Sequence, residues 1–201
     1  MRKVVLLIII LASALLNAQE YKFNVYSEEE GLPQPYVYDI IQTQNGFLYV
    51  ATGDGLATFA GHRFNKFTKR VGLAENFCSA LFSDSEKRIW IGHFEGGVTC
   101  YENGKFRKIN TGEIQPAKIV ALAEGPQKKI YFANAAGSIY TIQNDKVSPF
   151  IVEELPPISK IRIKDNIMYV ASQEGLLAID LSAGSKAYNA IGNTKDKNVT
   201  C

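Results

Sequence analysis

A nine-residue segment, Leu48 to Leu56 (LYVATGDGL), returns at Met168 to Leu176 as MYVASQEGL, 120 residues further along. Tyr169, Val170, Ala171, Gly175 and Leu176 stand where the first copy has Tyr49, Val50, Ala51, Gly55 and Leu56. Between them lie Ile89 to Gly97 (IWIGHFEGG) and Ile130 to Gly137 (IYFANAAG), so copies recur at a period of about 40 residues. Each is an apolar strand, a tight turn and the start of another strand. A period of that length built from short strands is the mark of propeller blades, small sheets stacked about an axis. No such sheet buries both of its faces alone, which makes stacking on neighbours obligatory.

Four strands can be assigned within each period. The first full blade is predicted at Tyr36 to Gln42, Phe47 to Thr52, Leu56 to Ala60 and Arg63 to Thr68. Its joints, Asn45-Gly46 and Gly53-Asp54-Gly55, are residue types that accept the positive φ of tight hairpins. The second is predicted at Phe77 to Ser83, Arg88 to His93, Val98 to Tyr101 and Lys105 to Ile109, with Asn103-Gly104 as a turn. The third takes Lys118 to Ala123, Ile130 to Ala133, Ser138 to Ile142 and Val147 to Ile151; the fourth takes Ser159 to Ile163, Ile167 to Ser172, Leu176 to Asp180 and Lys186 to Ile191. Phe23 to Leu32 (FNVYSEEEGL) matches Phe64 to Leu73 (FNKFTKRVGL) 41 residues later, so Lys22 to Ser27 reads as a fourth strand without a blade of its own. The expected fold is all-β, with residues 20–192 forming four four-stranded blades of an incomplete, larger β-propeller and 193–201 a polar tail or the start of another repeat. Closure takes about 4 to 8 blades. The alternative is a closed four-blade ring in which Lys22 to Ser27 completes the fourth blade.

Residues 1–19 are expected to be a signal peptide: Arg2 and Lys3 precede thirteen mainly apolar residues, Val4 to Leu16, and Ala18 offers a small residue for cleavage. That run falls short of the roughly 20 residues needed to span a bilayer. Of 22 basic and 20 acidic residues, removal of Arg2 and Lys3 leaves 20 against 20, a formal charge of zero from about Glu20 onward. A neutral chain argues against nucleic acid as a partner. The three cysteines, Cys78, Cys100 and Cys201, form no metal-binding spacing. Aligned by repeat, Cys78 takes the slot of Val37 and Cys100 that of Phe59, both apolar core positions. On the first and third strands of one blade, two strand spacings of about 4.8 Å each exceed the reach of a disulfide.

The first blade reads Gly31-Leu32-Pro33, then Val37 and Ile40, an Asn45-Gly46 turn, Leu48-Tyr49-Val50-Ala51-Thr52, Gly55-Leu56 and Phe59, and the second carries Ile89-Trp90-Ile91-Gly92. This resembles the two-component regulator propeller repeat, over roughly Phe23 to Asp180, closely in the first two blades and less so in the last two. Tyr49, Tyr131 and Tyr169 occupy the tryptophan slot, and Phe132-Ala133-Asn134 replaces isoleucine-glycine-threonine. The resemblance implies an exported sensor region of a bacterial receptor that responds to extracellular nutrients such as glycans. In that family a histidine kinase or DNA-binding output comes after the propeller, and neither motif is legible in this chain.

Strand order decides which loops share an end. In an up-and-down blade, the segment leading into the first strand and the loop between the second and third strands lie together. That end gathers Tyr36, Asp54, Asn76, Phe77, His93, Phe94, Glu95, Asn134, Gln173 and Glu174 as candidate ligand-binding residues. Aromatic rings and carboxylates at a channel mouth suit an extracellular small molecule or oligosaccharide, held by stacking and hydrogen bonds. The competing reading is that Asp54, Glu95 and Glu174, each preceding a glycine, only cap turns. No cofactor or metal is expected, and no catalytic set: His62 and His93 fall at opposite ends of their blades. A protein-interaction scaffold, or a dimer formed through a full receptor, is the other non-catalytic reading. A propeller lyase or glycosidase, with Asp54 and Glu95 as acid and base, ranks below both.

Overall fold

The computed structural model describes residues 22–112, 114, 116–151, 155–182 and 188–191, the last for backbone only. The expected signal peptide, the 193–201 tail and Cys201 lie outside the described residues. The chain forms four antiparallel sheets, each with its strands in sequence order. The first holds β1 (Val37–Gln42), β2 (Leu48–Thr52), β3 (Gly55–Phe59) and β4 (Phe64–Phe67). The second holds β5 (Cys78–Ser83), β6 (Ile89–His93), β7 (Val98–Glu102) and β8 (Lys105–Ile109). The third holds β9 (Ile119–Glu124), β10 (Ile130–Asn134), β11 (Ile139–Gln143) and β12 (Lys146–Ile151). The fourth holds β13 (Ile158–Lys164), β14 (Ile167–Ser172), β15 (Gly175–Asp180) and β16 (Tyr188–Ile191). The only helical pieces among the described residues are three-residue 3-10 turns.

First strands of successive sheets adjoin, β1 with β5, β5 with β9 and β9 with β13, which puts them innermost. The second strands are buried on both faces where a sheet has two neighbours. Along β6, Ile89 and Ile91 pack with the first sheet while Trp90 packs with the third. Along β10, Ile130 and Phe132 pack back onto the second sheet while Tyr131 and Ala133 face the fourth. The two-residue alternation of a strand thus feeds two different cores, and Ile89 to Gly92 and Ile130 to Ala133 can be apolar or small throughout. Trp90 anchors one of these cores: its indole N–H donates to Asp84 Oδ2 at 2.7 Å, the oxygen that also receives Arg88 Nε at 2.6 Å.

Small residues recur one step before the end of each second strand: Ala51, Gly92, Ala133 and Ala171. At Gly92 a Cβ would meet Ile119 Cγ2 at 2.5 Å, so sheets approach closely there. The first strands carry a bulge at the same place in each sheet, between Val37 and Asp39, Cys78 and Ala80, and Ile158 and Lys160. In the third sheet the skip leaves Val120 as the extra residue. Cys78 and Cys100 are free and buried on opposite faces of the second sheet, one against the first sheet and one against the third.

Two findings bear on closure. Val37 and Ile40 occupy the slots that Cys78 and Leu81 fill in the second sheet, yet Ile40 is 55% exposed where Leu81 is 6% and its third-sheet counterpart Leu122 is 3%. Among the described residues, no contact comparable to those between neighbouring sheets joins β1 to β13. The four sheets therefore form an open arc of an incomplete propeller.

The expected strand at Lys22 to Ser27 is not formed. A strand needs a ladder partner, and no third strand lies beside it among the described residues. The corner after it does take the repeated shape. Ser27 caps a 3-10 turn, Glu28–Glu30, and Gly31 ends it at φ 94°, just as Thr68 and Gly72 bracket Lys69–Val71.

Candidate functional site

The loops between second and third strands are tied to the segments leading into the first strands. Phe94 N–H donates to Phe77 O at 3.2 Å, Ala135 N–H to Lys118 O at 2.8 Å and Gln173 N–H to Pro157 O at 3.0 Å. These ladders hold both loop sets at one end of the arc, beside the innermost strands. Three exposed or half-exposed rings meet there. Phe77 and Phe94 stack with centroids 4.5 Å apart, and the Tyr38 ring lies tilted 4.6 Å from Phe77. The Lys118 ammonium sits 5.4 Å from the Tyr38 ring centroid. The four residues come from three sheets.

Tyr38 is the extra residue of the β1 bulge, and bulges re-aim a side chain out of the regular alternation. In the second sheet the same position holds Ser79, whose hydroxyl instead donates to Ile119 O at 2.7 Å. Neighbouring strands are pinned as well: Asp39 Oδ2 accepts Leu81 N–H at 2.7 Å, joining the two innermost strands that flank the rings.

The candidate residues divide by burial. Phe77 and Phe94 belong to the ring cluster. Tyr36 is exposed and stands outside it. Asp54 is exposed and receives Lys66 Nζ at 2.6 Å. Asn76 Oδ1 accepts Lys69 N–H at 2.9 Å, a capping role. Glu95, Gln173 and Glu174 are exposed hairpin residues.

His93, expected at the end of its strand, and Asn134, expected just past its strand, are the last residues of β6 and β10, and both are buried instead of facing a ligand. They share a slot with Thr52 and Ser172, and all four serve the interior. Thr52 and Ser172 donate to Gly55 O and Gly175 O at 2.8 and 2.9 Å, while Asn134 Oδ1 accepts the N–H groups of Ala136 and Ser138. His93 Nδ1 lies 3.1 Å from Phe77 O and Nε2 2.9 Å from Thr99 Oγ1. Burial pushes the His93 imidazole down to about 4, against a carbonyl contact that favours its proton, with the nearby Lys69 charge lowering it further. A neutral histidine with both nitrogens engaged acts as a strut for the Phe77 backbone.

Sequence reasoning missed Tyr38, Lys118 and Glu75. Lys118 was within reach, because it stands 41 residues after Phe77 and 82 after Tyr36 in the same repeat slot. Glu75, whose carboxylate accepts Glu95 N–H at 2.8 Å and Gly97 N–H at 2.9 Å, holds the hairpin that presents Phe94. Tyr38 had no sequence signal, since a bulge is invisible to a two-residue alternation. Among the described residues no group of three or more histidine, cysteine or acidic side chains gathers in a metal-binding arrangement.

Residues 31–54 match the family described as two component regulator propeller. No curated protein matches the chain. Among solved structures, the extracellular domain of the hybrid two component system BT3049 from B. thetaiotaomicron aligns with a TM-score of 0.69 at 21% identity, over 85% of this chain and 27% of its own. The corresponding domain of BT4673 from the same organism aligns at 0.64 and 20%, over 76% and 22%. Virginiamycin B lyase from Staphylococcus aureus aligns at 0.65 with 14% identity, over 77% and 55%. The chain spans about a quarter of the length of the two-component domains it resembles, and at these identities the likeness shows the propeller fold.

Proposed function

We propose that this chain, with its two component regulator propeller repeat at residues 31–54, is blade-bearing sequence from an exported, non-catalytic sensor propeller. Its ligand is an extracellular oligosaccharide, and a histidine kinase reached through the full receptor is the output. The observation that carries the reading is the ring cluster Tyr38, Phe77 and Phe94, standing at the end where the innermost strands begin. Aromatic rings cost apolar hydration when left exposed, and an exposed cluster marks a surface used for contact. A flat ring suits the C–H face of a pyranose. The buried, doubly engaged His93 supports a binding role over acid–base chemistry, which needs a group free to exchange a proton with substrate.

The test is direct binding of purified protein to a panel of neutral and charged tetrasaccharides by calorimetry, repeated with Phe94→Ala and Tyr38→Ala. Both rings are surface groups, so the melting temperature should hold while affinity falls about tenfold or more. A wild-type protein that binds no sugar, or variants that bind as well as wild type, would remove the proposal.

A further inference from the structure

Lys118 is the only member of the cluster that carries a charge, and no carboxylate of a described residue forms an ion pair with it. The two acidic side chains anchored beside the rings are committed elsewhere. Asp39 accepts from Ile40 N–H at 2.9 Å and Leu81 N–H at 2.7 Å. Glu75 accepts from Glu95 N–H and Gly97 N–H. Lys118 is also placed: its carbonyl is fixed by Ala135 N–H, and its half-buried side chain reaches back across the arc to the face of Tyr38. A second cation, Lys69, lies on the same side, near enough to His93 to disfavour its protonation.

Resting on the sugar-binding reading, we infer that Lys118 selects an anionic oligosaccharide, one whose ring stacks on the aromatic cluster while its acidic group meets the ammonium. The acid is a uronate carboxylate or a sulfate ester, since either presents oxygens to a point charge in the same way. An ammonium held against a ring is partly desolvated, so it gains more from an anion than a free surface lysine does. It does not gain from a neutral sugar hydroxyl to the same degree.

The experiment compares matched pairs of probes on the purified chain: tetragalacturonate against its methyl ester, and a carrageenan tetrasaccharide before and after desulfation. The expected result is that at least one acidic member binds about threefold to tenfold more tightly than its uncharged partner. That preference should shrink with added salt, vanish in Lys118→Gln and persist in Lys118→Arg. Whichever pair shows it identifies the acid. Equal affinity within both pairs, or a preference that survives Lys118→Gln, overturns the inference and leaves the sugar-binding reading standing. Failure of all four probes to bind overturns the inference, and the sugar-binding reading falls with it only if the wider tetrasaccharide panel also fails.

Discussion

At the last position of each second strand stand Thr52, His93, Asn134 and Ser172, four polar residues of unlike chemistry in one buried place. Each turns inward to satisfy backbone or hydroxyl groups near its hairpin, because a buried polar group left unpaired costs about 1 to 3 kcal/mol. Histidine alone among them titrates in an ordinary range, and the interior holds it neutral down to about 4 instead of 6.5. Between those two values the unfolded chain binds a proton that the folded chain does not, so stability falls as pH drops through the window and is fully present above it. The span corresponds to about 3 kcal/mol. Urea midpoints measured at pH 7 and pH 4.5 should show this loss in the wild type and a smaller one in His93→Asn, which borrows the residue of the third sheet. An unchanged difference between the two pH values in the variant would show that His93 is not the group responsible.

Among the elements, the corner at Ser27–Leu32 returns at Thr68–Leu73: a capped 3-10 turn, a glycine with positive φ, and a leucine turned into the core. Gly31 abuts Phe64 on β4, and Gly72 abuts Phe106 on β8, so each corner packs on the fourth strand of the next sheet. At Gly72 the φ is 117° and a Cβ would stand 2.9 Å from Phe106 Cβ. Gly72→Ala should therefore cost about 1 to 3 kcal/mol in a denaturant melt. Gly104, at φ 79° with nothing within 4 Å, isolates the backbone part, and Gly104→Ala should cost less. Equal costs would mean that the close approach at the corner contributes nothing. The same repeated corner explains why Lys22 to Ser27 reads as a strand in the sequence: Phe23, Asn24, Gly31 and Leu32 repeat as Phe64, Asn65, Gly72 and Leu73, and the ladder partner is what it lacks.

For the whole molecule the open arc sets the behaviour in solution. Ile40 and Leu81 hold the same repeat position, one facing solvent and one facing the first sheet. Ile40→Lys should leave the melting temperature within a few degrees of wild type and reduce self-association in sedimentation. Leu81→Lys should abolish cooperative unfolding, because it buries an unpaired charge between sheets. Similar melts for the two variants would contradict the arc. The strand order and the shared end of the loops were both legible, since a period of about 40 residues fixes which residues are equivalent. The site was only half legible. Phe77 and Phe94 could be placed by strand counting, but whether a residue at a loop margin turns out or in depends on the bulge and on neighbouring sheets.

The repeat by itself determined the stacked blades, because a sheet with two apolar faces is stabilised by neighbours; that the four form an open arc was decided by the tertiary structure, where Ile40 stays exposed. Tertiary structure alone decided that Tyr38 joins Phe77, Phe94 and Lys118, and that His93 and Asn134 are struts. Those assignments depend on an extra residue in a strand and on which sheet lies opposite, and neither is written in the spacing of any one repeat.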